Sequence, residues 1–210
     1  MDVEPMVRTA RAVTGAGRGI LAADESSPTI AKRFAAIGVE STEGRRRAYR
    51  EILASTEGLG ELIGGVILFD ETLRQQLSDG TPFAEAFARQ GIVPGIKVDA
   101  GTRPLAGSPG EVVTEGLDRL RERLEEYVGL GARFAKWRAV IRIGEHMPTA
   151  ACLEANAHAL ARYAALAQEA GLTPIVEPEV LMDGAHDLAR CAEVTEAAIR
   201  GVIRYYTREA

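Results

Sequence analysis

The chain has 210 residues, of which 46% are hydrophobic and 26% are charged, and its formal net charge is -5 at pH 7. This composition supports a buried core and excludes a disordered chain, a collagen and a disulfide scaffold. The acidic balance gives no positive field for nucleic acid or an anionic membrane, and no apolar stretch approaches the roughly 20 residues of a membrane helix. With two cysteines and no signal core, we expect a cytoplasmic, reduced protein.

Short apolar runs alternate with helical segments along the chain. The predicted strands are 19–24, 65–70, 95–99, 133–138 and 174–179, each near the usual strand length. The predicted helices are 29–38, 45–56, 81–90, 114–128 and 149–170, with a last helix from about residue 187. This alternation predicts an α/β fold with a parallel sheet. No linker interrupts it, so we expect a single domain over 1–210.

Charged residues gather toward the carboxyl end of these runs. Three runs carry pairs of charges two residues apart: Lys97 with Asp99, Lys136 with Arg138, and Glu177 with Glu179. Side chains at this spacing share a face of a strand. If the sheet belongs to a barrel, its carboxyl-terminal mouth is the usual place for catalysis. Converging ammonium and carboxylate groups suit acid/base chemistry, whereas a solvated strand end or a structural ion pair is the alternative for any one pair.

Lysine is scarce, with three residues among 25 basic ones. Lys32 falls in a polar helical stretch and is predicted to lie at the surface. Lys97 and Lys136 lie within apolar runs, where a charge must be paired or functional. Lysine can release its proton and act in Schiff-base chemistry, which arginine cannot do. Coding bias is the alternative explanation for the scarcity.

Several segments around these residues resemble class I fructose-bisphosphate aldolases. They are LAADES (21–26), GGVILF (64–69), GIKVD (95–99), FAKWR (134–138) and VEPE (176–179). The resemblance continues in order to about residue 198. It implies the TIM (β/α)8 barrel family, here as an incomplete barrel with about five parallel strands. It also implies a lyase that cleaves fructose 1,6-bisphosphate through a Schiff base.

The resemblance implies catalytic roles for four residues. Asp24 would accept the proton of the C4 hydroxyl during carbon–carbon cleavage. Lys136 would place an ammonium beside the Schiff base, and Glu177 would be the acid/base that dehydrates the carbinolamine. Glu179 would be the carboxylate that pairs with the active-site lysines.

Four further residues are implied as substrate contacts. Lys97 and Arg138 would be cationic contacts to the substrate and its phosphate. Ser26 and Thr29 would be hydroxyls near a phosphate, with Thr29 standing where the family has serine. No metal and no other cofactor is implied, because an iminium is itself an electron sink. The implied partners are a small sugar phosphate and further copies of the chain, since the family forms tetramers.

The nucleophilic lysine of the family is not among the 210 residues. In the family it lies on the sixth strand, in a Leu-Leu-Lys-Pro-Asn-like motif that this sequence does not contain. We therefore expect the 210-residue chain to lack normal aldolase turnover and, with raw sheet edges, to be oligomeric or poorly soluble. Two alternatives stay open: an inactive remnant or interaction protein, and a different Schiff-base enzyme that uses Lys136 or Lys97 as its nucleophile.

Overall fold

A computed structural model describes residues 3–15 and 17–209 of the chain. Its elements, in chain order, are α1 (Glu4–Thr14), β1 (Gly19–Ala23), α2 (Ser27–Ala36), α3 (Glu43–Ala54), α4 (Leu59–Leu62), β2 (Ile63–Leu68), α5 (Asp70–Arg74), α6 (Phe83–Arg89), β3 (Val93–Lys97), β4 (Thr102–Pro104), β5 (Val112–Thr114), α7 (Leu120–Gly129), β6 (Phe134–Ile141), α8 (Ala150–Glu169), β7 (Thr173–Val180) and α9 (Leu188–Glu209). Within these residues no helix is both long enough and apolar enough to span a bilayer.

The chain divides into two compact units. Unit 1 contains the residues up to Lys97, together with Glu125–Ala135 and Gly171–Thr173. Unit 2 contains Val98–Leu124, Lys136–Ala170 and the residues from Pro174 onward. The single domain over 1–210 stays a prediction, and its positions 1, 2, 16 and 210 lie outside the described residues.

Unit 1 contains β1, β2 and β3 as parallel neighbours, with Leu21 opposite Val66 and Ile67 opposite Gly95. At the base of the sheet, Arg133 N donates to Pro94 O at 2.9 Å, and Thr173 N donates to Arg133 O at 3.2 Å. These bonds join β3 to the start of β6, and β6 to the start of β7. The five-stranded sheet has the order β1-β2-β3-β6-β7, which confirms the predicted α/β class with five parallel strands.

Glycines in β2 and β3 let neighbouring groups approach the sheet closely. A Cβ on Gly64 would lie 2.8 Å from the carbonyl oxygens of Ala12 and Val13 in α1. A Cβ on Gly95 would lie 2.2 Å from the ring of Phe134. These positions need glycine because another group occupies the place of a side chain.

Unit 2 packs the outer side of β6 against α8. Trp137 is fully buried, and its indole stacks on Tyr163 of α8 with 5.6 Å between ring centroids. Because Trp137 alternates with Lys136 and Arg138 along β6, its side chain lies on the opposite face of the strand, in the core against the helices. His158 lies half-buried in the same helix, with its ring centroid 5.5 Å from that of Tyr205 in α9.

The predicted helix 114–128 is wrong at its start. Thr114 ends β5, which pairs antiparallel with β4, and α7 begins at Leu120. Gly116 has a φ of 130° and Arg119 a φ of 52°, and neither conformation can continue a right-handed helix. Asn156 of α8 fixes the hairpin, because its Oδ1 accepts from Thr114 N at 3.2 Å. The hairpin, α1 and α5 were not predicted.

Candidate active site

In unit 1 the predicted site residues surround the start of α2. Asp24 follows β1 directly and is 9% exposed. Ser26 is the N-cap of α2, with extended backbone at φ -63° and ψ 159°, and its Oγ lies 3.1 Å from Thr29 Oγ1. Pro28 in the first turn has no N–H to leave unsatisfied. Two hydroxyls therefore stand where the N–H groups of a ten-residue helix are free to meet an anion.

Glu25, between Asp24 and Ser26, carries an ion-pair network that the sequence analysis missed. Its carboxylate accepts from Arg33 of α2 and from Arg50 of α3. Arg50 Nη2 also donates to the carbonyl oxygen of Glu25 at 3.0 Å. Arg50 is 25 residues away in sequence, so no short-range spacing could reveal the contact.

Unit 1 contains two of the three lysines, and the exposure of each agrees with the prediction. Lys97 is the last residue of β3 and is half-buried, between the buried Ile96 and Val98. Lys32 is exposed on α2, as predicted.

In unit 2 the charged pairs join the neighbouring strands β6 and β7. Lys136 Nζ lies 2.9 Å from Glu177 Oε2, and the two side chains are 11% and 36% exposed. Arg138 binds Glu179 through Nε and Nη2. Each i, i+2 pair thus faces its counterpart on the next strand, as the shared-face argument requires.

Asp99 ties the same strand to the chain that follows β3. Its Oδ2 accepts from Arg138 N at 3.3 Å, and its Oδ1 accepts from Gly101 N at 3.1 Å. Val98 N donates to Lys136 O at 3.0 Å, which extends the ladder beside β6. The backbone that presents Lys136 and Arg138 is therefore fixed from one side by residues 98–101.

Comparison with known proteins decides the family. The family model described as "Fructose-bisphosphate aldolase class-I" matches residues 5–209. The chain belongs to the class I fructose-bisphosphate aldolase family. The resemblance carried by the segments around Asp24, Lys97, Lys136 and Glu177 is thereby confirmed.

Aldolases from bacteria and plants are close in sequence over most of the chain. A "Probable fructose-bisphosphate aldolase class 1" from Xanthomonas campestris is 63% identical over 202 residues, which are 96% of this chain and 60% of that protein. "Fructose-bisphosphate aldolase 5, cytosolic" from Arabidopsis thaliana is 52% identical over 201 residues, or 96% of this chain and 56% of that protein. The chain thus spans about three-fifths of the length of these curated relatives.

A solved aldolase has the same fold over nearly the whole chain. It is the fructose-bisphosphate aldolase of Plasmodium falciparum in a ternary complex with TRAP and a small-molecule inhibitor. The TM-score is 0.94 at 45% identity, covering 97% of this chain and 59% of that one. The predicted barrel-family fold is confirmed for this part of an aldolase.

The aldolase-family residues are brought together in three local groups. The structure pairs Lys136 with Glu177 and Arg138 with Glu179, and it places Ser26 beside Thr29. Asp24 and Lys97 lie at strand ends of unit 1. The roles of these residues and their convergence on one substrate stay predictions.

A buried thiol of unit 2 does not suit nucleophilic chemistry. Burial, helped by the nearby Glu111 carboxylate, raises the pKa of Cys152 to about 11, so the thiol stays protonated near neutral pH. Burial also raises the pKa of the Tyr163 phenol well above its usual value, and Tyr163 donates to Ile175 O at 3.3 Å. Tyr163 thus supports β7, which carries Glu177 and Glu179, whereas Cys152 lies against Val112 of β5.

Proposed function

We propose that the chain supplies the acid/base and phosphate-binding groups of a class I aldolase. The whole protein would cleave fructose 1,6-bisphosphate to dihydroxyacetone phosphate and glyceraldehyde 3-phosphate in the cytoplasm, as a homo-oligomer. The observation that carries the proposal is the Lys136–Glu177 pair, 2.9 Å apart on adjacent strands. An ammonium and a carboxylate at this distance can hold and exchange a proton.

Unit 2 would serve the formation of the Schiff base. Glu177, which is 36% exposed, would give a proton to the hydroxyl of the carbinolamine, so that water leaves and an iminium forms. Lys136 would keep that carboxyl supplied with protons and stabilise negative charge beside the imine. Glu179 would hold Arg138, and Arg138 would contact the substrate phosphate. The iminium itself would form on a lysine outside these 210 residues.

Unit 1 would serve carbon–carbon cleavage and phosphate binding. Asp24 would accept the proton of the C4 hydroxyl as the C3–C4 bond breaks, while the bonding electrons move to the iminium and give an enamine. Ser26 and Thr29 would donate to a phosphate at the start of α2, where the free N–H groups favour an anion. Lys97 would add a cationic contact. Since the iminium takes the electrons, we propose no metal and no other cofactor.

A chimeric enzyme tests this function. The matched segment of the Xanthomonas relative would be replaced by this chain, and cleavage of fructose 1,6-bisphosphate would be followed by a coupled assay. We expect an active chimera whose kcat falls about a hundredfold or more in Lys136→Met and Glu177→Gln. Arg121→Met is the matched control, because Arg121 pairs with Glu169 at the surface. A folded but inactive chimera would contradict the proposal and favour a remnant or an interaction protein.

Borohydride trapping tests the source of the nucleophile. The 210-residue chain would be incubated with dihydroxyacetone phosphate, reduced, and weighed by intact-protein mass spectrometry. We expect no adduct, because Lys136 and Lys97 are assigned supporting roles. A substrate adduct that maps to Lys136 or Lys97 would instead favour a Schiff-base enzyme with a substitute lysine.

A further inference from the structure

Arg50 of α3 binds both the side chain and the backbone of Glu25. The Arg50 side chain is 4% exposed, and its Nη1 binds the Glu25 carboxylate while Nη2 donates to Glu25 O at 3.0 Å. The second oxygen of that carboxylate binds Arg33, whose side chain is 58% exposed on α2. Glu25 thus stands between a buried arginine of α3 and an exposed arginine of α2.

The bond to the carbonyl oxygen distinguishes Arg50 from an ordinary ion-pair partner. A buried ion pair often stabilises a fold no better than apolar residues of the same size, because both charges must leave water. Stability alone therefore gives little reason to place a guanidinium here. A planar guanidinium can, however, bind a carboxylate and a carbonyl at once in fixed directions.

Holding both groups of Glu25 fixes the backbone on either side of it. Asp24 precedes Glu25, and Ser26 follows it as the N-cap of α2. The carbonyl carbon of Glu25 is bonded to the nitrogen of Ser26, so the bond from Arg50 orients the peptide unit that enters the helix. The direction of the Asp24 side chain and the positions of the Ser26 and Thr29 hydroxyls depend on the same short segment.

We propose that Arg50 is a positioning residue that holds Asp24 for proton transfer and Ser26 with Thr29 for a phosphate. The inference rests on the proposed aldolase function for its consequence, but its structural part concerns the order of residues 24–30 alone. Arg50 touches neither substrate nor reacting atoms. It acts through Glu25.

Amide hydrogen exchange of the 210-residue chain tests the structural part. In Arg50→Gln we expect exchange at residues 24–30 to quicken about tenfold or more, since the segment loses its anchor. Arg50→Lys keeps a positive charge but cannot bind the Glu25 carboxylate and carbonyl at once as the planar guanidinium does. It should therefore quicken exchange at these residues with the fold intact. If Arg50→Gln does not fold, Arg50→Lys decides. Unchanged exchange at 24–30 in the folded variant would overturn the proposal.

Arg47 offers a matched control on the same helix. It lies 3.6 Å from Glu51 Oε2 and donates to Gln76 O at 3.4 Å, away from Glu25. Arg47→Gln should leave exchange at residues 24–30 as in the parent chain. Equal acceleration in Arg47→Gln and Arg50→Gln would mean a general loosening of α3 and would also overturn the proposal.

Binding of fructose 1,6-bisphosphate, measured by calorimetry, tests the functional part. We expect Arg50→Lys to raise the Kd about tenfold, while its urea midpoint changes little and Arg47→Gln binds like the parent chain. An unchanged Kd in Arg50→Lys, with quicker exchange, would overturn the link to phosphate binding. If the parent chain binds no bisphosphate, the proposed phosphate binding by these 210 residues is wrong. The exchange experiment then still decides whether Arg50 positions residues 24–30.

Discussion

The two units place their polar groups differently with respect to the strands. In unit 1, Asp24 and Glu25 follow β1, and Asp70 begins the helix after β2. The interiors of β2 and β3 instead contain Gly64, Gly65 and Gly95. In unit 2, the charged residues lie inside the strands: Lys136 and Arg138 in β6, and Glu177 and Glu179 in β7.

The partners of these charges differ as well. Unit 1 joins its helices by arginine–carboxylate pairs, such as Arg46 of α3 with Glu71 of α5 and Arg74 of α5 with Glu126 of α7. Unit 2 has an arginine pair of its own, Arg138 with Glu179, but it also pairs Lys136 with Glu177 across the same two strands. Arginine keeps its proton at any physiological pH, whereas lysine can give it up. The arginine pairs of unit 1 therefore hold elements in place at any physiological pH, whereas the Lys136–Glu177 pair has the residue type that the proposed proton transfer needs.

The largest effect on stability is expected at Gly95 of β3, where the Phe134 ring occupies the place of a side chain. Gly95→Ala would place a Cβ 2.2 Å from two atoms of the Phe134 ring, both in unit 1. Because the ring is buried, a Cβ at this distance forces the ring or the strand to shift, and we expect the free energy of unfolding to fall by about 3 kcal/mol. Urea denaturation followed by circular dichroism measures the loss.

A second glycine provides the control for Gly95. A Cβ on Gly44, in the first turn of α3, meets nothing within 4 Å. Gly44→Ala should therefore be neutral or stabilise the protein by up to about 0.5 kcal/mol. The double variant Gly95→Ala/Phe134→Leu should recover part of the loss. Similar losses at Gly44 and Gly95 would refute close packing as the reason for glycine in β3.

The strands and the in-strand charges could be predicted because their signals are local. The alternation of Lys136, Trp137 and Arg138 predicts which side chains share a face, and the structure confirms that Trp137 is core. Residue types alone also identified Lys97 and Lys136 as lysines in apolar surroundings. The roles came from the family resemblance, since spacing names no reaction.

The missed features depend on contacts distant in sequence or on backbone conformation. The contact of Arg50 with Glu25 requires the packing of α3 beside the start of α2, which no pattern in the sequence encodes. The predicted helix 114–128 starts at the last residue of the hairpin, whereas α7 begins at Leu120. The course of the chain between them is set by the positive φ at Gly116, and Asn156, 42 residues from Thr114, holds the end of the hairpin.

A pair of methionine variants tests the contrast between the two kinds of ion pair. Arg46→Met removes two bonds to Glu71, of 2.8 Å and 2.6 Å, and should lower the free energy of unfolding by about 2 kcal/mol. Lys136→Met should cost less, about 1 kcal/mol, because methionine packs in the strand and the Glu177 side chain is 36% exposed, although its Oε2, which faces Lys136, is buried. Urea midpoints at neutral pH measure both. A larger loss in Lys136→Met than in Arg46→Met would make the lysine pair the structural one.

The smallest effect is expected at the exposed end of the arginine network in unit 1. The hydrogen bond from Arg74 lowers the pKa of Glu126 below its ordinary value of 4.5, and the Glu126 side chain is 51% exposed. A carboxyl whose folded pKa is depressed stabilises the protein above its unfolded pKa, and that contribution disappears as the pH falls through the folded value. Solvent screens so exposed a pair, so Glu126→Gln should lower the urea midpoint only slightly at pH 7, and the difference should shrink as the pH falls below 4.5. No midpoint difference at pH 7 would show that Arg74 gains nothing from Glu126, and Asp70, 3.0 Å from Arg74 Nε, would then be the partner that matters.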